Sequence, residues 1–145
     1  MFKKKIVCIV SLVLASAALL SACNNAAKLT EYDFDTDKVP SVNAVIGEKR
    51  KVTGVETGIS NGARYKQYTY ESASVTEDLI TYTVHLRDIG WVVIKDYNLT
   101  DAKGEAQLAI KSADDGKILI ISIAFENGKY AVKVTKLEGT LTTGS

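Results

Sequence analysis

Residues 74–91 read SVTEDLITYTVHLRDIGW, and this stretch decides the fold. Ser74 and Glu77 have the N-cap and N3 spacing of a capping box. Val75, Leu79, Tyr82, Leu86 and Ile89 follow at intervals of four, three, four and three, which puts them on one helical face. Gly90 stands where a helix needs a left-handed C′ residue. Trp91 follows as C″, able to pack on Leu86 in a Schellman stop. Start, stripe and stop together predict one helix over 75–89.

On both sides of that helix the periodicity changes to strands joined by tight turns. Residues 50–60 and 63–72 flank Asn61-Gly62, the strongest short hairpin signal. After the helix come 91–99 and 105–113, then 117–126 and 129–137, the last two joins made by Asp115-Gly116 and Asn127-Gly128. Short turns make neighbours antiparallel. The expected class is α+β: an antiparallel sheet of about six strands (hairpin, helix 75–89, four-stranded meander) with one helix packed on it.

Strand 129–137 alternates, with Tyr130, Val132 and Val134 facing inward and Lys129, Ala131 and Lys133 outward. Strand 117–126 is apolar on both faces: Ile118 and Ile120 on one, Leu119, Ile121, Ile123 and Phe125 on the other. One helix cannot cover both sides of a sheet. The second face must be closed by curvature, by the first hairpin folding over, or by another molecule.

Upstream, residues 24–38 (NNAAKLTEYDFDTDK) show no helical or clean strand pattern and carry four acids, Glu31, Asp33, Asp35 and Asp37. The D-x-D-x-D spacing fails as an EF-hand loop, because the sixth and twelfth positions from Asp33 are Lys38 and Ala44 rather than Gly and Glu. An acidic tether is expected, with Pro40 at the domain entrance. Lys49, Arg50 and Lys51 open the first strand as a solvated edge.

The first residues, MFKKKIVCIVSLVLASAALLSAC, have a Lys3-Lys4-Lys5 n-region and a short apolar run from Ile6 to Leu20. This is the layout of an export signal rather than of a folded segment. The run is short for a membrane-spanning helix. Its end, Leu20-Ser21-Ala22-Cys23, resembles the lipobox of bacterial membrane lipoprotein precursors. The resemblance implies cleavage between Ala22 and Cys23, a diacylglyceryl group on the Cys23 sulfur, and a palmitate-type lipid anchor on the outer face of the cell membrane. Ala15-Ser16-Ala17 offers the general signal peptidase an alternative site, which would leave Cys23 as a free thiol. Cys8 is removed with the leader in either case. The expected division is therefore 1–22 lipoprotein signal peptide, 23–38 lipidated Cys and tether, 39–138 a single domain, and 139–145 a C-terminal tail.

The V-x-x-D-L-x-x-Y-x-x-x-L-x-x-x-G-W pattern of Val75–Trp91, with the leader and the acidic segment, resembles small uncharacterised lipoproteins of Gram-positive bacteria. It is a mark of helix followed by strand and carries no catalytic group. A helix leading into a meander is also similar to one half of β-lactamase-inhibitory protein, a likeness that transfers no residues.

Charge and composition narrow the function. The chain has 145 residues, 18 Lys and Arg, 17 Asp and Glu, one His and two Cys. A net charge of +1 lacks the basic excess of a nucleic-acid module. Loss of the three leader lysines leaves the exported chain at −2, with fifteen basic and seventeen acidic residues. One His and no Cys cluster leave no metal-ligand set, and no cofactor is implied.

His85, the only imidazole, lies beside the helix stripe, where a structural or surface role is expected. A general base needs a positioned partner and nucleophile, and no catalytic motif supplies one. The expected function is a non-catalytic envelope binding module for a protein, peptide or glycan. The alternatives are a small extracytoplasmic enzyme or enzyme subunit using His85, and an inhibitor of a secreted hydrolase. Two candidate interaction surfaces follow. One is the i, i+4 pair Ile80 and Val84 on the helix flank. The other is Tyr68 and Tyr70 on one strand face, with Tyr65 on the opposite face; aromatic residues suit strands intrinsically, so core or half-buried packing is the competing expectation to a stacking platform.

Overall fold

The computed structural model describes residues 30–47 and 50–142. Cys23, Ala22 and the rest of the leader lie outside the described residues, as do Lys49 and residues 143–145. In chain order the elements are β1 (Glu31–Phe34), β2 (Asp37–Pro40), α1 (Val42–Ile46), β3 (Lys51–Ser60), β4 (Ala63–Glu71), α2 (Val75–Asp88), β5 (Val92–Lys95), β6 (Gly104–Lys111), β7 (Lys117–Glu126) and β8 (Lys129–Glu138). The class is α+β. A six-stranded antiparallel sheet has the order β3-β4-β8-β7-β6-β5, and β1 and β2 form a separate two-stranded sheet.

The long helix stops as its sequence requires. Gly90 has φ +108°, its N–H donates to Arg87 O (3.1 Å), and the Trp91 N–H donates to Leu86 O (3.0 Å), which are the two bonds of a Schellman motif. Its start departs from the capping box. Ser74 makes no side-chain cap bond. Instead the Ser72 hydroxyl donates to Asp78 (2.6 Å) and accepts from the Ser74 N–H (2.9 Å). A carboxylate inside the first turn is a stronger acceptor than a backbone group, so it recruits the serine two residues upstream.

Leu79, Tyr82 and Leu86 of α2 are fully buried in one cluster with Leu108, Ile121, Ile123, Val132 and Val134. That cluster defines the covered face of the sheet.

The acidic tether reading is corrected here. Residues 31–40 form a hairpin that lies on the same covered face, beside α2. Tyr32, Phe34 and Val39 are buried, and Tyr32 stacks on Tyr68 with centroids 4.4 Å apart. Aromatic residues at 32 and 34 alternate with acids at 33 and 35, a period-two pattern too short to stand out against the charge. The ordered fold therefore reaches back to Thr30 rather than starting at 39.

The hairpin is fastened by a buried ion cluster. Lys136 of β8 lies 2.9 Å from Asp37 of β2 and also meets Asp114 of the β6–β7 turn. Asp37 further accepts from the Ser112 hydroxyl (2.7 Å) and the Ala113 N–H (2.8 Å). Short helix α1, which sequence reading missed, is capped by Ser41, whose hydroxyl accepts from the Ala44 N–H, and ends on left-handed Gly47.

Candidate ligand face

Tyr68 and Tyr70 are not a surface. Both point to the covered face and are buried, at 6% and 1% exposure. The hairpin supplies their cover: Tyr68 meets Tyr32, while Tyr70 stacks on Tyr130 (5.3 Å) and hydrogen-bonds the Tyr32 hydroxyl. Ile80 and Val84 are exposed, at 44% and 48%, on the side of α2 turned away from the core. His85 is also exposed, and its side chain makes no hydrogen bond or ion pair with another described residue.

The buried polar centre belongs to the core. Asp78 accepts two bonds from the Arg50 guanidinium (2.8 Å each), one from Ser72 and one from the Tyr130 hydroxyl (3.0 Å). Burial raises the Asp78 pKa, but donation from Arg50, Ser72 and Tyr130 outweighs it and the net shift is downward. Burial likewise raises Asp37, and the Ala113 N–H, Ser112 and Lys136 outweigh it downward. Both carboxylates are saturated with donors. They have the environment of structural ions rather than of proton-transfer groups.

The open side of the sheet is where side chains reach solvent with bonding capacity unused. Register puts its residues in rows across the strands. The first row is Gly54, Thr69, Ala131, Ala124 and Glu105. The second is Glu56, Gln67, Lys133, Ser122 and Gln107. The third is Gly58, Tyr65, Thr135, Ile120, Ala109 and Val92. Small residues, hydrogen-bonding residues and apolar residues thus form parallel bands running perpendicular to the strands.

The bands differ in how far they are occupied. Tyr65 lies against Gly58, where an added Cβ would come within 2.9 Å of the hydroxyl. That hydroxyl donates to Glu56 (2.5 Å), and Lys133 Nζ sits 4.3 Å from the ring centroid. Gln107 donates to Glu105 (2.9 Å). Gln67 and Ser122 make no side-chain hydrogen bond with other described residues, so their amide and hydroxyl are free for a ligand. The small-residue band opens at one end into a depression of about 600 Å³ over Thr69, Ala124 and Ala131, walled by Lys103 and Phe125.

Of the three hairpin tyrosines, Tyr65 lies on the open face, while Tyr68 and Tyr70 are buried under the β1–β2 hairpin. The change along β7 from Ile118 and Ile120 to Ser122 and Ala124 was the readable sign that this face turns polar. Gln67 and Lys133, in contrast, gain meaning only once β4 and β8 pair across 66 residues of chain. No known protein family, characterised protein sequence or solved structure matches this chain.

Proposed function

We propose that this chain is an exported lipoprotein, cleaved between Ala22 and Cys23 and acylated on Cys23, whose domain is a non-catalytic binding module. Its open sheet face takes an extended polar ligand, a peptide strand or a glycan chain. The anchoring part rests on the lipobox and on the n- and h-regions that precede it. The binding part rests chiefly on one observation: Gln67 and Ser122 stand unpaired in a band of polar side chains that crosses the sheet. An extended ligand can satisfy several such groups in series, each worth about 1 kcal/mol. An enzyme reading would engage His85 with a carboxylate in a concave site; here His85 is exposed and makes no side-chain hydrogen bond or ion pair with another described residue.

The test is co-sedimentation of the soluble domain with purified cell-wall polymer and with envelope peptides. Ser122→Arg, which fills the polar band without touching the core, is compared with wild type. Loss of binding in Ser122→Arg with an unchanged melting temperature is the expected result. Equal binding by both proteins removes the open face as the ligand surface.

A further inference from the structure

We propose that the anchored domain lies with its helix side on the bilayer, Ile80 and Val84 touching the lipid interface, so that the open sheet face points away from the membrane. This inference rests on the lipoprotein reading and adds an orientation to it. Three observations carry it.

The first is the length of chain between the anchor and the fold. Because β1 starts at Glu31, only seven residues, 24–30, separate Cys23 from the first strand. Fully extended they span about 25 Å, where a tether reaching residue 38 would have spanned about 50 Å. The shorter figure is close to the diameter of a domain of this size, so the domain cannot turn freely over its anchor.

The second is the side on which the chain joins the fold. The Thr30 carbonyl accepts from the Ser41 N–H (3.0 Å), and Glu31 pairs with Pro40. The Pro40 carbonyl accepts from the Tyr82 hydroxyl of α2 (2.9 Å). The anchor therefore meets the domain next to α2, in the layer formed by α2 and the β1–β2 hairpin, and on the opposite side of the sheet from Gln67 and Ser122.

The third is the outward face of α2 itself. Ile80 and Val84 are about half exposed there, one helical turn apart. Thr81 and Arg87 share that face, and the acids Glu77 and Asp88 stand one turn before Ile80 and one turn after Val84. An exposed apolar pair on the side where the anchor joins the domain suits the boundary between headgroups and acyl chains, with the flanking charges left in the headgroup layer. The acyl anchor supplies the attachment, and the pair supplies the orientation.

The experiment uses the full lipidated protein in vesicles of phosphatidylglycerol and phosphatidylethanolamine. Val84→Cys and Ser122→Cys are each labelled with an environment-sensitive fluorophore, and the vesicles carry nitroxide-labelled lipid. The expected result is strong quenching at 84, about twofold or more, with little at 122. Equal quenching at the two positions, stronger quenching at 122, or quenching at neither in protein that co-sediments with vesicles overturns the orientation. Intact mass separates this from failure of the anchor: a Cys23 without acyl mass, in protein that stays in the supernatant, sinks the lipoprotein reading and the orientation with it.

Discussion

Asp78 shows how one residue can define a core. It draws Arg50 from before β3, Ser72 from the end of β4 and Tyr130 from β8 onto one carboxylate in the first turn of α2. Replacing it with Ala leaves the Arg50 charge and two hydroxyls facing a cavity. The expected cost is about 3 kcal/mol, read as a lowered urea midpoint. The pH dependence follows from the sign of the shifts. Asp37 and Asp78 both have folded pKa values below the ordinary carboxylate range. Their contribution is therefore complete above the unfolded pKa of about 3.9 and is lost as pH falls through the folded values. Stability should hold from neutral pH down to about pH 5 and decline on further acidification. Asp78→Asn should be less stable at neutral pH and flatten that decline; an acid limb identical to wild type contradicts the assignment.

At the scale of elements, α2 was legible because its stripe and its stop lie within eighteen consecutive residues, and a Schellman motif is a local event. Gly90→Ala, forced to φ +108°, should cost about 1 kcal/mol in chemical denaturation. The β1–β2 hairpin was illegible for the opposite reason. Tyr32 and Val39 face each other across the hairpin, but the rest of what Tyr32 packs on, Tyr68 and Tyr70, lies more than thirty residues away. Four acids then made the segment read as solvated, although Asp37 is buried against a lysine 99 positions later. The same long-range cover is what buries Tyr68 and Tyr70. The hairpin works as a strap over the core. Tyr32→Ala should cost about 3 kcal/mol. A chain starting at residue 41 should bind the dye 1-anilinonaphthalene-8-sulfonate, and failure to do so contradicts the strap. Ile80→Asp with Val84→Asp, by contrast, should change stability by no more than about 0.5 kcal/mol, since neither side chain is part of the core.

For the whole molecule, the two sides of one sheet differ in what they carry. The covered side holds the helix, the strap and the place where the chain leaves for Cys23. The open side carries bands of polar and small residues, in which Gln67 and Ser122 make no side-chain hydrogen bond with other described residues. The proposed orientation requires that the protein be fixed by its N-terminus, so the chemistry of Cys23 is the point on which it turns. The most direct measurement is the intact mass of the mature protein purified from membranes of the expressing cell, with Cys23→Ala alongside. Wild type should begin at Cys23 and carry diacylglyceryl mass, while Cys23→Ala should carry none and leave the membrane fraction. A wild-type protein that begins at Ala18, after the Ala15-Ser16-Ala17 site, with a free thiol at Cys23, would contradict the account.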